Sequence, residues 1–160
     1  MDSGNIGFVL LCAAFVFVMT PGLAMFYGGL VRKKNVVNTM ITSIFIIGVG
    51  IVMWVLFGYS LSFAPSGNAF IGDFRWLGLE GVSLTEGYTD DASIPNMVFS
   101  AFQMMFAVIT PALITGAVAG RMKFKSIFVF TIFWSLIVYY PLAHMVWGQG
   151  GLLGADGIGA

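Results

Sequence analysis

Aromatic side chains are the residues of this sequence that could bind a small ligand. Phe102 and Phe106 are four residues apart, which places them on one face of a helix, and Gln103 lies beside them. Trp147 ends another apolar segment. Ring faces attract small cations through their quadrupoles, so an aromatic pore entrance is one interpretation. The other is an interfacial belt for Trp147 and lipid-facing packing for the phenylalanines, and the residues alone leave both open.

The groups that common enzyme reactions need do not occur together. The apolar segments hold no paired carboxylates, no nucleophile with a histidine and an acid, and no phosphate-binding loop. The lone His144 is either a hydrogen-bonding residue at a helix end or a group of a pore or proton path. The lone Cys12 forms no disulfide within the chain. The sequence therefore predicts no enzyme, no metal and no cofactor.

The composition predicts an integral membrane protein. Of 160 residues, 59% are hydrophobic and only 9% are charged, whereas a typical soluble domain has about 25% charged residues. The net charge is zero. These values argue against a disordered chain, a coiled coil and a protein that binds nucleic acid.

Four apolar segments are long enough to span a bilayer. A hydrocarbon core of about 30 Å requires roughly 20 helical residues. The segments lie at about 6–31, 36–63, 94–120 and 124–147. Helices are expected because every backbone amide in lipid needs a partner within its own segment. The predicted fold class is thus an all-α polytopic helix bundle with four spans, and residues 64–93 form an irregular outer loop.

Charge predicts the orientation in the membrane. Six of the seven basic residues lie in two short loops, at 32–34 and 121–125. Short basic loops stay in the cytoplasm. The loop at 64–93 is acidic and would lie outside, as would the N-terminus. We expect a multi-pass protein of the cell membrane.

Glycine and proline suggest close packing and bends inside the spans. Gly116 and Gly120 form a GxxxG pattern, which lets helices approach closely in lipid. Pro21 and Pro111 each follow a threonine and should bend their helices. Such bends either serve packing or open a cavity at membrane depth, and the residues do not decide which.

Five segments resemble the ammonium transporter family, the Amt/Mep/Rh group. In chain order they are Met19–Arg32, Trp54–Leu61, Phe102–Ala107, Gly116–Phe124 and Tyr140–Leu152. The resemblance implies a protein of about eleven spans in two inverted five-helix repeats, assembled as a homotrimer with one channel per subunit. Residues 1–160 would form its N-terminal part. The glycine-rich end of the chain also favours a longer protein.

The resemblance assigns roles to several aromatic residues. Phe106 is implied as a gate phenylalanine, and Trp147 and Phe102 as the border of an external ammonium recruitment site. Phe26 and Tyr27 match an aromatic pair near the pore, and Gln103 is expected to line the pore with them. The pore histidines and buried aspartate of the family would lie beyond residue 160.

The implied function is ammonium transport. Ammonium would be recruited by aromatic rings and deprotonated, and ammonia would cross a hydrophobic pore, with methylammonium as an analogue. The implied partners are the lipid bilayer, two further copies of the chain and a cytoplasmic regulatory protein. The alternative is an ammonium sensor, in which the same module is joined to a signalling domain.

Overall fold

The computed structural model describes residues 1–65 and 68–154, and these residues form four long apolar helices. We label them α1 (Ser3–Leu30), α2 (Lys33–Phe63), α3 (Asn96–Val118) and α4 (Phe124–Trp147). All four are long and apolar enough to cross a membrane. Each helix end lies within three residues of the predicted segment boundary. The predicted all-α fold class with four spans is confirmed.

Contacts divide the chain into two units. The first unit contains residues 1–51 and 83–129. The second unit contains residues 52–82 and 130–160. Within the second unit the structure describes 52–65, 68–82 and 130–154. In the first unit, Ile46, Ala112 and Ile127 form a buried cluster with Leu23 and Val118 packed against it. This cluster joins residues from all four helices, so burial of apolar side chains holds the unit together.

The glycines of the GxxxG pattern have different roles in the first unit. A Cβ at Gly116 would overlap the ring of Tyr27. The Tyr27 hydroxyl donates to the Leu113 carbonyl at 2.9 Å, which ties α1 to α3. Gly120 instead has φ of 71° and follows the end of α3, where only glycine adopts this conformation without strain. The predicted close packing is thus confirmed at Gly116, but the partner is an aromatic ring.

Two π-helical turns interrupt the long helices of the second unit. They lie at Trp54–Gly58 in α2 and at Ser135–Tyr139 in α4. Gly58 makes room for an aromatic ring there, because a Cβ would lie 2.7 Å from Cζ of Tyr140. Trp54 is 1% exposed and contacts the Tyr140 ring with centroids 6.0 Å apart. The extra residue of a π turn rotates the side chains that follow it, and no pattern in the sequence predicted it.

The described residues between α2 and α3 are largely irregular. Its helical content in the described residues is one short 3₁₀ turn at Leu77–Leu79. In the first unit, an isolated bridge pairs Gly87 with Pro95. The Ser93 carbonyl accepts the Asp2 amide at 2.9 Å, which fixes this segment to the start of α1.

Candidate functional site

Phe102 and Phe106 form the aromatic pair that their spacing on α3 predicted. Their ring centroids are 5.1 Å apart at an interplanar angle of 76°, a favourable edge-to-face geometry. Both rings and the neighbouring Gln103 are partly exposed. The Thr110 hydroxyl donates to the Phe106 carbonyl at 2.6 Å, which stabilises the backbone just before Pro111. The pair therefore lies on an ordered stretch of helix and keeps ring surface free.

Phe26 and Tyr27 on α1 lie in different environments although they are adjacent. Their ring centroids are 5.8 Å apart. The Phe26 side chain is 61% exposed, whereas Tyr27 packs on Gly116 with its hydroxyl bonded to a backbone carbonyl. Because the single hydroxyl hydrogen is donated to α3, Tyr27 offers a ligand its ring and the lone pairs of its oxygen.

Trp147 is the last residue of α4 and belongs to the second unit. The residue is 58% exposed, so much of its indole surface is available to a ligand. The Gly148 amide donates to the His144 carbonyl at 2.8 Å and closes the last turn. The chain then leaves the helix at Gly148 in an extended conformation.

His144 is fully buried one turn before Trp147. Its Nδ1 lies 3.1 Å from the Ser62 carbonyl oxygen, and its Nε2 lies 2.9 Å from the Asn68 carbonyl oxygen. A neutral imidazole carries one N–H, so it donates to one of these two oxygens in each tautomer. The ring holds the end of α4 against the last turn of α2 and the segment that follows it, in agreement with the hydrogen-bonding interpretation. Sequence analysis missed these partners because they are 82 and 76 residues away.

An exposed ion pair lies in the same unit, outside the helices. Asp73 and Arg75 approach to 3.2 Å. The backbone amide of Phe74, and then Arg75, lower the pKa of Asp73. The Ser60 hydroxyl donates to the Asp73 carbonyl at 2.6 Å and fixes this loop to the end of α2. Asp73 therefore stays ionised at neutral pH on an ordered loop.

Carboxylates are not part of the aromatic site. Within residues 1–65 and 68–154 the structure shows no group of three or more His, Cys, Asp and Glu side chains that could hold a metal ion. Helices α1 to α4 contain no Asp or Glu. Apart from Gln103, the candidate residues are aromatic, and a ring face is what an aromatic residue offers to a cation.

Comparison with known proteins decides the family. A family model described as Ammonium Transporter Family matches residues 7–158. The chain belongs to the ammonium transporter family. This confirms the resemblance that the five sequence segments indicated.

Individual relatives support the same family assignment. The chain is 49% identical over 157 residues to an ammonium transporter of Bacillus subtilis (strain 168), with coverage of 97% of this chain and 38% of that protein. The crystal structure of Saccharomyces cerevisiae Mep2 superposes with a TM-score of 0.84 at 35% identity, over 96% of this chain and 36% of the other. The chain thus spans little more than a third of the length of these relatives.

A protein described as Sensor Amt Protein also has this fold. Its structure superposes with a TM-score of 0.80 at 24% identity, over 95% of this chain and 35% of the other. This likeness shows the shared fold alone. The roles expected for Phe26, Tyr27, Phe102, Gln103, Phe106 and Trp147 stay predictions.

Proposed function

We propose that this chain is the N-terminal part of a transporter that moves ammonium across the cell membrane. The observation that carries the proposal is the family match over residues 7–158. The 49% identity to a protein named ammonium transporter supports transport as the activity. A sensor would share the fold, but the relatives with the higher identities are named transporters.

Recruitment of ammonium would depend on aromatic rings. Phe102 and Phe106 contact each other and keep exposed ring surface, and Trp147 is 58% exposed. A ring face contributes about 0.5–2 kcal/mol to the binding of a cation, more where water is excluded. This is enough to concentrate ammonium at a pore entrance and too little to replace the hydration of an ion along a whole pore.

Passage would then require loss of a proton. An amine with the pKa of lysine, near 10.4, loses its proton at pH 7 at a cost of roughly 4–5 kcal/mol, and the more acidic ammonium ion requires less. That cost is well below that of moving an unpaired ion into an apolar interior. Neutral ammonia could pass the apolar surfaces of Phe26, Tyr27 and Phe106.

The orientation and the assembly are part of the proposal. The basic residues at 32–34 and 121–125, around the starts of α2 and α4, support a cytoplasmic location for both of these helix ends, with the N-terminus outside. A homotrimer and a cytoplasmic regulatory protein follow from the family resemblance. The relatives are more than twice as long, so the remaining pore wall would come from the part of the protein that this chain does not cover.

The experiment is uptake of methylammonium by the full-length transporter that carries these residues. Trp147→Leu should raise the half-saturating concentration about 3- to 30-fold with little change in the maximal rate, because one cation–ring contact is lost. Phe106→Ala should change the maximal rate, since it removes the implied gate.

Trp134→Leu is the matched control for this experiment. Trp134 lies earlier on α4, and its ring centroid is 6.0 Å from that of Tyr139. The substitution should leave the half-saturating concentration unchanged. If Trp147→Leu and Phe106→Ala both transport like the unmodified protein, the proposed residue roles are wrong.

A further inference from the structure

A small notch lies in the first unit, beside the end of α3. Its polar lining comes from Asn38, Thr39 and Thr42 of α2 and Thr115 of α3, and the rest of its lining is Ala119, Gly120, Met122 and Ile127. The notch offers about 10 Å³ to the centre of a water-sized sphere, which is close to the smallest space that holds one water molecule. It is separate from the aromatic residues of the candidate site.

Thr39 has a buried hydroxyl that needs a partner. The residue is 4% exposed, and its Oγ1 makes no hydrogen bond within residues 1–65 and 68–154. Its backbone carbonyl is in contrast bonded, because it accepts the Ser43 hydroxyl at 3.1 Å. A buried hydroxyl without a partner is costly, so proteins pair such groups with protein atoms or with ordered water.

The two other threonines of the notch can accept hydrogen bonds but not donate them. The Thr42 hydroxyl donates to the Asn38 carbonyl at 2.7 Å, and the Thr115 hydroxyl donates to the Ala112 carbonyl at 2.7 Å. Each hydroxyl has a single hydrogen, so only oxygen lone pairs remain. The notch therefore presents one free donor, on Thr39, and two acceptors.

We propose that the notch binds one water molecule. This water accepts a hydrogen bond from Thr39 and donates one each to Thr42 and Thr115. Three hydrogen bonds are typical for a buried water, and a space of this size holds a water where polar groups face it. The water adds a link between α2 and α3 next to the Ser43 and Thr115 hydroxyls, whose oxygens lie 3.1 Å apart.

Thr39→Val tests the proposal through the sign of its effect on stability. Valine keeps the shape of threonine and removes the hydroxyl. If water is bound, the variant loses the hydrogen bond that Thr39 donates to it. The Tm of the purified protein should then fall by about 2–4 °C. If the notch is dry, the variant removes an unpaired buried hydroxyl and the Tm should rise, which would overturn the proposal.

A crystal structure at a resolution that shows ordered water is the second measurement. We expect a peak within hydrogen-bonding distance of all three threonine oxygens, retained in Thr39→Ser and lost in Thr39→Val. A map of the unmodified protein without that peak would overturn the proposal even if Thr39→Val failed to fold.

Ammonia is the other molecule of this size and hydrogen-bonding capacity. The Tm difference between the unmodified protein and Thr39→Val should be the same in ammonium chloride and potassium chloride at pH 9. A difference that grows with ammonium concentration would assign the site to ammonia and contradict the assignment to water.

Discussion

Gly116→Val is expected to destabilise the protein by about 3 kcal/mol or more, at the upper end of the effect of overpacking. The valine side chain would occupy the space of the Tyr27 ring. Either the ring moves and its hydrogen bond to the Leu113 carbonyl breaks, or α1 and α3 separate. The measurement is the thermal unfolding of the purified protein in detergent, where the Tm should fall by roughly 6–12 °C.

Gly48→Val is the matched control, because Gly48 also lies inside a long helix but has open space around it. It should change the Tm little, or raise it slightly, since glycine disfavours helix. Tyr27→Ala combined with Gly116→Val should recover part of the lost stability, because the two single changes act on the same contact. Equal losses for Gly48→Val and Gly116→Val would show that the Tyr27 contact is not the cause.

His144→Ala is expected to cost about 2–5 kcal/mol, comparable with the removal of other large buried side chains. The ring is 0% exposed and contacts the Ser62 and Asn68 carbonyls, so alanine leaves a cavity and removes a donor from them. The Tm should fall, and amide hydrogen exchange should increase in the segment that follows α2.

Two variants distinguish the hydrogen bond of His144 from its volume. His144→Gln keeps a side-chain donor and should lose less stability than His144→Ala. Met145→Ala removes a long side chain from the next position of α4, where the residue is only partly buried, and should also lose less. The assigned role is wrong if His144→Ala unfolds at the same temperature as Met145→Ala.

The helices and the aromatic pair could be predicted because both depend on neighbours in the chain. Apolar segments of about 20 residues favour helices in lipid, because a helix satisfies its backbone amides within the segment. Phe102 and Phe106 face the same way because four residues make about one helical turn. The family could be recognised for a related reason, since its segments are continuous strings of residues.

The contacts of Tyr27 and His144 could not be predicted in the same way. The Tyr27 hydroxyl bonds a carbonyl 86 residues away, and His144 contacts carbonyls 82 and 76 residues away. The GxxxG pattern indicated close packing at Gly116 but not which side chain would fill the space. The π turns left no recognisable pattern, because they arise where one helix adjusts to its neighbour.

The sequence by itself determined the number of helices, their membrane character and the family, because hydrophobicity and local spacing act along the chain. Only the tertiary structure decided that Tyr27 uses its hydroxyl to join α1 to α3, that His144 is buried between two carbonyls, and that the Thr39 hydroxyl lacks a partner within the described residues. These outcomes depend on which distant atoms meet when the helices pack, and a hydrogen-bonding side chain does not specify its partner in advance.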